Sequence, residues 1–316
     1  MTAASAPELT SAPGFSRLVT VEGTLRKAAW PEDRAREVCR SLEAGHIVFL
    51  PDSPIEIPKE DRDLLLGRKQ SSSAYHKNIA YRPLEDRVTG LDRNEVQEAE
   101  ELRRILRDYS QRSVEFMRTF LAPYAQQWKL EFASFRPLEE KGRTARLHAR
   151  NDLLHFDSFP TRPTNGARIL RFFSNINPVQ NRVWLTSQTF EAFGARMVKA
   201  GGLTAPFGNP FLRGLHSLAR ILHLRKASRS PYDDLMHRCH NTMKEDANFQ
   251  ENTPKHRWEF PPNSSWMVFT DCVSHAVLSG QYALEQTLII PQVALVEPQR
   301  SPLAILESLT GRRLTV

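Results

Sequence analysis

The 316-residue chain carries 43 Lys and Arg against 36 Asp and Glu, a formal net charge of +7, with 40% hydrophobic and 25% charged residues. That balance excludes a disordered or collagen-like polypeptide and supplies enough apolar mass for a sizeable core. No apolar run approaches the ~18 residues of a membrane-crossing helix. Residues 1–8 lack the basic start and apolar stretch of a secretory signal, and Cys39, Cys239 and Cys272 are scattered without metal-site spacing, so reduced thiols and a cytoplasmic location are expected.

In chain order, residues 1–15 are small, polar and proline-bearing, and are expected to be disordered. Residues 16–316 read as a single domain with a basic helical insertion at about 187–250. From Trp30 to Gly45 the signals are helical: Pro31 suits a first turn, Glu32 and Asp33 complement the helix dipole, and Gly45 is a natural stop. His46–Pro51 reads as a buried strand and Pro58–Leu66 as a short helix. Residues 93–130 hold the clearest helix, with an apolar stripe from Val96 through Leu102, Leu106 and Met117 to Leu121, ended by Pro123. Phe132–Pro137 and Ala145–Ala149 look like two strands around a turn at Gly142. Ala167–Asn175, Arg182–Leu185, Trp258–Pro261, Ser265–Thr270 and Ala283–Ile290 are further strands, and the tail from Ser301 suggests a helix. Strands through the middle and end, with helices at the start and in one insertion, predict a mainly β sandwich or barrel with helical decoration.

The chemistry centres on His155-Phe156-Asp157. On an extended segment side chains alternate with period two, so His155 and Asp157 face the same way and can share one metal ion. His275, just after the strand Ser265–Thr270, is the best third ligand. Two His and one carboxylate on one face of an octahedral ion suit non-haem Fe(II); the same set also suits catalytic zinc. Alternatively, His155 is a hydrogen-bonded core histidine and Asp157 caps the turn at Ser158–Pro160. An iron oxygenase that consumes a 2-oxoacid needs a cation for the distal carboxylate, and Arg171 on the next strand is placed to supply it. Arg168, three residues earlier, falls on the opposite face, and Asn175 ends the same strand. The competing role for a buried Arg is pairing with an internal carboxylate. His237 and His240 read as surface or loop residues.

Within the insertion, Phe211–Arg229 holds five positive charges and no acidic residue, with Leu212, Leu215, Ala219 and Leu222 at helical spacing. That is the profile of an amphipathic helix on an anionic membrane, although a core-packed helix shares the spacing. Nucleic acid is not the expected partner, because aromatic interleaving and a known module are absent.

The segments His155–Gly166, Arg168–Pro178 and the stretch through His275 resemble the Kdo hydroxylases, across nearly the whole chain. The resemblance implies a jelly-roll double-stranded β-helix core and dependence on Fe(II), 2-oxoglutarate and O2. It also implies hydroxylation at carbon 3 of the outer 3-deoxy-D-manno-oct-2-ulosonic acid (Kdo) sugar of Kdo2-lipid A, with succinate and CO2 as co-products. His155, Asp157 and His275 carry over as the iron ligands. Many members of the wider superfamily carry an Arg shortly after the distal His, but Glu285, Gln286 and Thr287 stand there, which moves the expected 2-oxoglutarate anchor to Arg171. Arg136, Arg146, His148, Arg150 and Arg162 are the candidates for the acidic sugar. The polyanionic, acylated substrate agrees with the basic stretch at residues 201–229 lying on the cytoplasmic face of the inner membrane.

Overall fold

The computed structural model describes residues 14–23, 30–68, 78–91, 96–199 and 229–315. Its strands are β1 (Leu18–Thr20), β2 (Ile47–Leu50), β3 (Ile79–Arg82), β4 (Arg87–Thr89), β5 (Lys129–Arg136), β6 (Arg168–Asn175), β7 (Arg182–Thr189), β8 (His256–Phe260), β9 (Ser265–Phe269), β10 (Val273–Ser279) and β11 (Ala283–Ile290). Its helices are α1 (Glu32–Glu43), α2 (Lys59–Gly67), α3 (Val96–Phe120), α4 (Phe190–Lys199), α5 (Pro231–Glu245), α6 (Ala247–Asn252) and α7 (Pro302–Thr310). Eight strands form one sheet in the order β1-β2-β9-β6-β11-β5-β3-β4, and three form a second in the order β10-β7-β8. The Thr270–Cys272 link carries the chain from β9 in the larger sheet to β10 in the smaller one. This sandwich, with helices against it, is the mainly β, helix-decorated architecture expected above.

Alternation along the central strands explains what each face carries. On β6, Leu170, Phe172 and Ser174 point outward, where α3 covers them: Phe116 packs on Phe172 at 6.0 Å and the Tyr109 hydroxyl lies 3.3 Å from that of Ser174. Leu102, Ile105, Leu106, Met117 and Phe120 complete the buried stripe of this helix. Arg171 and Phe173 point inward. Phe173 stacks on Trp266 at 5.1 Å and meets Trp184 of the smaller sheet edge-on at 5.0 Å, so aromatic contacts join the two sheets. Such pairs contribute about 0.5–1.5 kcal/mol each beyond their buried area.

Local chemistry sets the ends of α1. Gly45 adopts φ +82°, a left-handed conformation that costs other residues strain, and this lets His46 N–H reach back to Ser41 O at 3.1 Å. Ala145–Ala149 is not a strand; Leu147–Ala149 forms a single 3-10 turn in a mostly exposed loop. Its one alternating apolar face, Ala145, Leu147 and Ala149, is small, and Leu147 stays exposed. Phe15 pairs with Gln188, residues 1–13 lie outside the described residues, and no described helix is long and apolar enough to cross a membrane.

Candidate metal centre

The segment through His155 and Asp157 runs beside β10 as an extra extended stretch. His155 N–H donates to His275 O and His275 N–H donates to His155 O, both at 3.0 Å, and Asp157 N–H donates to Thr270 O at 2.8 Å. Residues that exchange both backbone bonds stand directly opposite on one face. Register alone therefore brings the two imidazoles together, with ring centroids 4.6 Å apart, and alternation adds Asp157. One ligand atom from each of His155, Asp157 and His275 lies within 4.8 Å of the other two.

Their hydrogen bonding suits a metal. His155 Nδ1 donates to Leu153 O at 2.8 Å and His275 Nδ1 to Val273 O at 2.9 Å, which leaves both Nε2 lone pairs for an ion. Burial, with His275 and Lys244 nearby, holds His155 well below its ordinary 6.5, and burial also lowers His275; both rings are neutral at neutral pH, as ligation requires. Burial works against an ionised Asp157, but Arg171, His275, His155 and the hydrogen bond from Thr270 together outweigh burial and hold the carboxyl well below its ordinary range. Arg171 Nη2 holds Asp157 Oδ2 at 2.8 Å, which leaves Oδ1 on the His155 side, 3.7 Å from Nε2. Trp184 stacks on the His275 ring at 5.2 Å and fixes its plane.

Behind the triad the inward faces of β5, β6 and β11 carry a polar cluster. Glu285 accepts from Arg171 Nη1 at 2.6 Å, from Arg136 Nε at 3.0 Å and from the hydroxyls of Ser134 and Thr287 at 3.1 and 2.6 Å. The two carboxylates, Asp157 and Glu285, balance Arg136 and Arg171. A divalent cation and a dianionic acid could therefore enter together without leaving uncompensated buried charge. The triad, Arg136, Arg171 and Trp184 line a cavity of about 180 Å³. Trp184 Nε1 and Arg171 Nε are buried donors without a partner there. Burial pushes Glu285 up, but the guanidiniums of Arg136 and Arg171 outweigh it and hold the group at about 2, below its ordinary 4.5. The folded-state value is the lower one, so its stabilisation is fully present above about pH 4.5 and is lost as pH falls through about 2. Melting temperatures between these pH values should fall on acidification, and Glu285→Gln should make that limb shallower.

Other expected site residues lie elsewhere. Arg168 faces outward: it is fully buried, donates from Nε to Asp271 Oδ2 at 2.8 Å and lies over Phe269 at 4.1 Å, on the side of β6 away from the cavity. Asn175 shapes a turn, donating to Gln180 O and Phe260 O and accepting from Asn177 N–H, so it contacts no cofactor space. Arg136 lines the cavity. Arg146 is exposed, Arg150 pairs with Asp152 at 2.6 Å and His148 Nε2 with Glu245 at 2.7 Å; these three are outside the cavity lining. Arg162 pairs with Glu131 and lies 4.3 Å from the Phe159 and Phe132 rings, also outside the lining. His240 is not a surface residue: its Nδ1 donates to Phe156 O at 2.6 Å, between two candidate ligands. Trp184 was not expected at the site; its strand was, and alternation from Val183 would have turned it inward.

Residues 26–313 match the family described as 3-deoxy-D-manno-oct-2-ulosonic acid (Kdo) hydroxylase. The chain is also similar to solved structures of the Kdo hydroxylase KdoO, a non-haem Fe(II) α-ketoglutarate-dependent dioxygenase. Its complex with α-ketoglutarate and Fe(III) has a TM-score of 0.81, and its cobalt(II) complex 0.82. Each is 30% identical to this chain and covers 94% of it and 97% of its own length. A complex of the same enzyme with succinate and Fe(III) matches equally well, at a TM-score of 0.81. Among curated protein sequences no match was found. The chain belongs to the Kdo hydroxylase family of non-haem Fe(II), 2-oxoglutarate-dependent dioxygenases.

Proposed function

We propose that, among Kdo-containing substrates, this enzyme takes Kdo2-lipid A and hydroxylates carbon 3 of its outer Kdo sugar, forming D-glycero-D-talo-oct-2-ulosonic acid. The observation that carries the chemistry is the convergence of His155, Asp157 and His275 beside a charge-balanced pair of partly buried arginines. In this reading the triad holds Fe(II), and Arg171 holds the far carboxylate of 2-oxoglutarate, with Arg136 beside it on the same Glu285. Trp184 Nε1 offers a further donor to the oxoacid. When bound, iron and 2-oxoglutarate supply the oxidative chemistry, in which O2 is consumed, succinate and CO2 leave and one oxygen enters the sugar. The protein's own part is to keep both His neutral, orient Asp157 through Arg171 and hold the acid in the cavity beside them.

The membrane role rests on residues 201–229, of which only Arg229 is among the described residues; it donates to Pro160 O at 2.9 Å, next to the metal-centre loop. The basic, amphipathic sequence there supports a peripheral location on the cytoplasmic face of the inner membrane, against anionic lipid. Neutralising Arg220, Arg225 and Lys226 should weaken partition onto anionic liposomes at low salt, measured by co-sedimentation; unchanged partition would remove the membrane role.

The function is tested by loading the protein anaerobically with Fe(II) and 2-oxoglutarate, adding O2 and Kdo2-lipid A, and following lipid and succinate by mass spectrometry. One added oxygen on the Kdo portion, matched by succinate, is the expected result. Oxoacid turnover with other lipids but none with Kdo2-lipid A would point to a dioxygenase of another lipid or acyl group. Lipid binding without any oxoacid consumption would point to a non-enzymatic lipid-binding barrel.

A further inference from the structure

The segment bearing His155 and Asp157 is an edge. One side of its backbone pairs with β10 through His155, and Val277 N–H donates to Asn151 O at 2.8 Å. By alternation, the N–H and C=O of Leu154 and the C=O of Phe156 point the opposite way, where a next strand would lie. Among the described residues no strand pairs there; two helical side chains take its place. Gln250 of α6 accepts Leu154 N–H at Oε1 and donates from Nε2 to Leu154 O, both at 2.9 Å. That two-bond exchange is the one a neighbouring strand residue makes with its partner. His240 of α5 donates from Nδ1 to Phe156 O at 2.6 Å, and its ring stands edge-on to that of His155 at 5.2 Å. Gln250 Nε2 also donates to Met243 O at 2.8 Å, which ties the clamp to the end of α5.

We infer that Gln250 and His240 are positioning residues that act as a surrogate strand and set the spacing of the metal ligands; the inference rests on the reading of the triad as a metal centre. His155 lies between the two pinned residues, and Asp157 follows the second. With Leu154 and Phe156 both held, the segment cannot swing about its bridge to β10, so His155 and Asp157 keep a fixed separation from His275 on the other side of that bridge. The Phe156 side chain, packed on Phe190 and Phe193 of α4 at 5.1 and 5.2 Å, sets how deep the segment sits. The clamp sets which way its ligands face. A loosened ligand segment costs metal affinity, and partners that orient ligands are generally worth about 10–100-fold there.

The test is Co(II) binding to the metal-free full-length protein, followed by visible absorption, with Asp157→Ala as the ligand-loss control. Gln250→Leu and His240→Phe should each weaken Co(II) binding by about 10-fold and alter the band shape. His240→Asn, which keeps an N–H near the Nδ1 position, should bind Co(II) close to wild type. Ser301→Ala removes the N-cap of α7, away from the site, and should lower the melting temperature with Co(II) affinity unchanged. Wild-type affinity and spectrum in both Gln250→Leu and His240→Phe would overturn the inference; if Gln250→Leu does not fold, the His240 pair decides alone. Binding to Asp157→Ala as tight as to wild type would instead remove the metal-centre reading, and the inference with it.

Discussion

Asp157→Ala should abolish product formation, with turnover falling on the order of 1,000-fold or more, equivalent to about 4 kcal/mol of lost transition-state stabilisation. In the proposed centre Asp157 is the one anionic ligand, and the two neutral imidazoles cannot replace its charge against a divalent ion. The carboxylate is prepared for that role: Arg171 grips Oδ2 and helps keep it ionised despite burial, so Oδ1 needs no proton removed before binding metal. The variant should remain folded, because Arg171 keeps Glu285 as a partner and the backbone bond from residue 157 to Thr270 O does not involve the side chain. Some stability is lost, since the cluster then holds two guanidiniums against one carboxylate. Circular dichroism should match wild type while mass spectrometry finds no hydroxylated lipid and no succinate above background. Appreciable product from the folded variant would count against Asp157 as a ligand.

How much of this was legible in the chain follows from the range of each signal. Period-two alternation correctly placed His155 with Asp157 and separated Arg168 from Arg171, because both are properties of one short segment. The long strands, such as Arg168–Asn175 with its apolar run, were readable for the same reason. The hairpin of β3 and β4 was not: its strands are 4 and 3 residues long, too short for the alternation of Ile79 and Tyr81 to stand out. Glu285 marked a departure from the wider superfamily in the sequence, yet its work is to hold Arg136 and Arg171, a relation that exists only once β5, β6 and β11 are side by side. Gln250 and His240 carry no local signature at all. Their partners, Leu154 and Phe156, are distant in sequence, and the bonds go to backbone, which every residue offers alike.

The two arginines of β6 should separate cleanly when each is replaced. Arg168→Ala leaves Asp271 buried and unpaired beside Phe269, where burial already pushes the carboxyl up and Arg168 is what opposes it. Breaking such a pair from one side costs about 3–5 kcal/mol, readable in urea unfolding, while 2-oxoglutarate affinity of the folded protein should stay at the wild-type value. Arg171→Ala removes the cation shared by Asp157 and Glu285 inside the cavity. In the proposed reading the far carboxylate of the oxoacid then loses its cation, whose Nε is without a partner, and Asp157 loses its orienting partner, so the KM for 2-oxoglutarate should rise about 100-fold, near 2.7 kcal/mol. Arg171→Lys keeps the charge but not the fork, so it should recover only part of that loss. The readout is an anaerobic titration of the Fe(II)-loaded protein with 2-oxoglutarate, followed by its visible charge-transfer absorption, alongside steady-state kinetics. A large KM effect from Arg168→Ala, with none from Arg171→Ala, would reverse the assignment and move the oxoacid to the outer face of β6. The full burial of Arg168, packed against Phe269 and paired with Asp271, argues against that outcome.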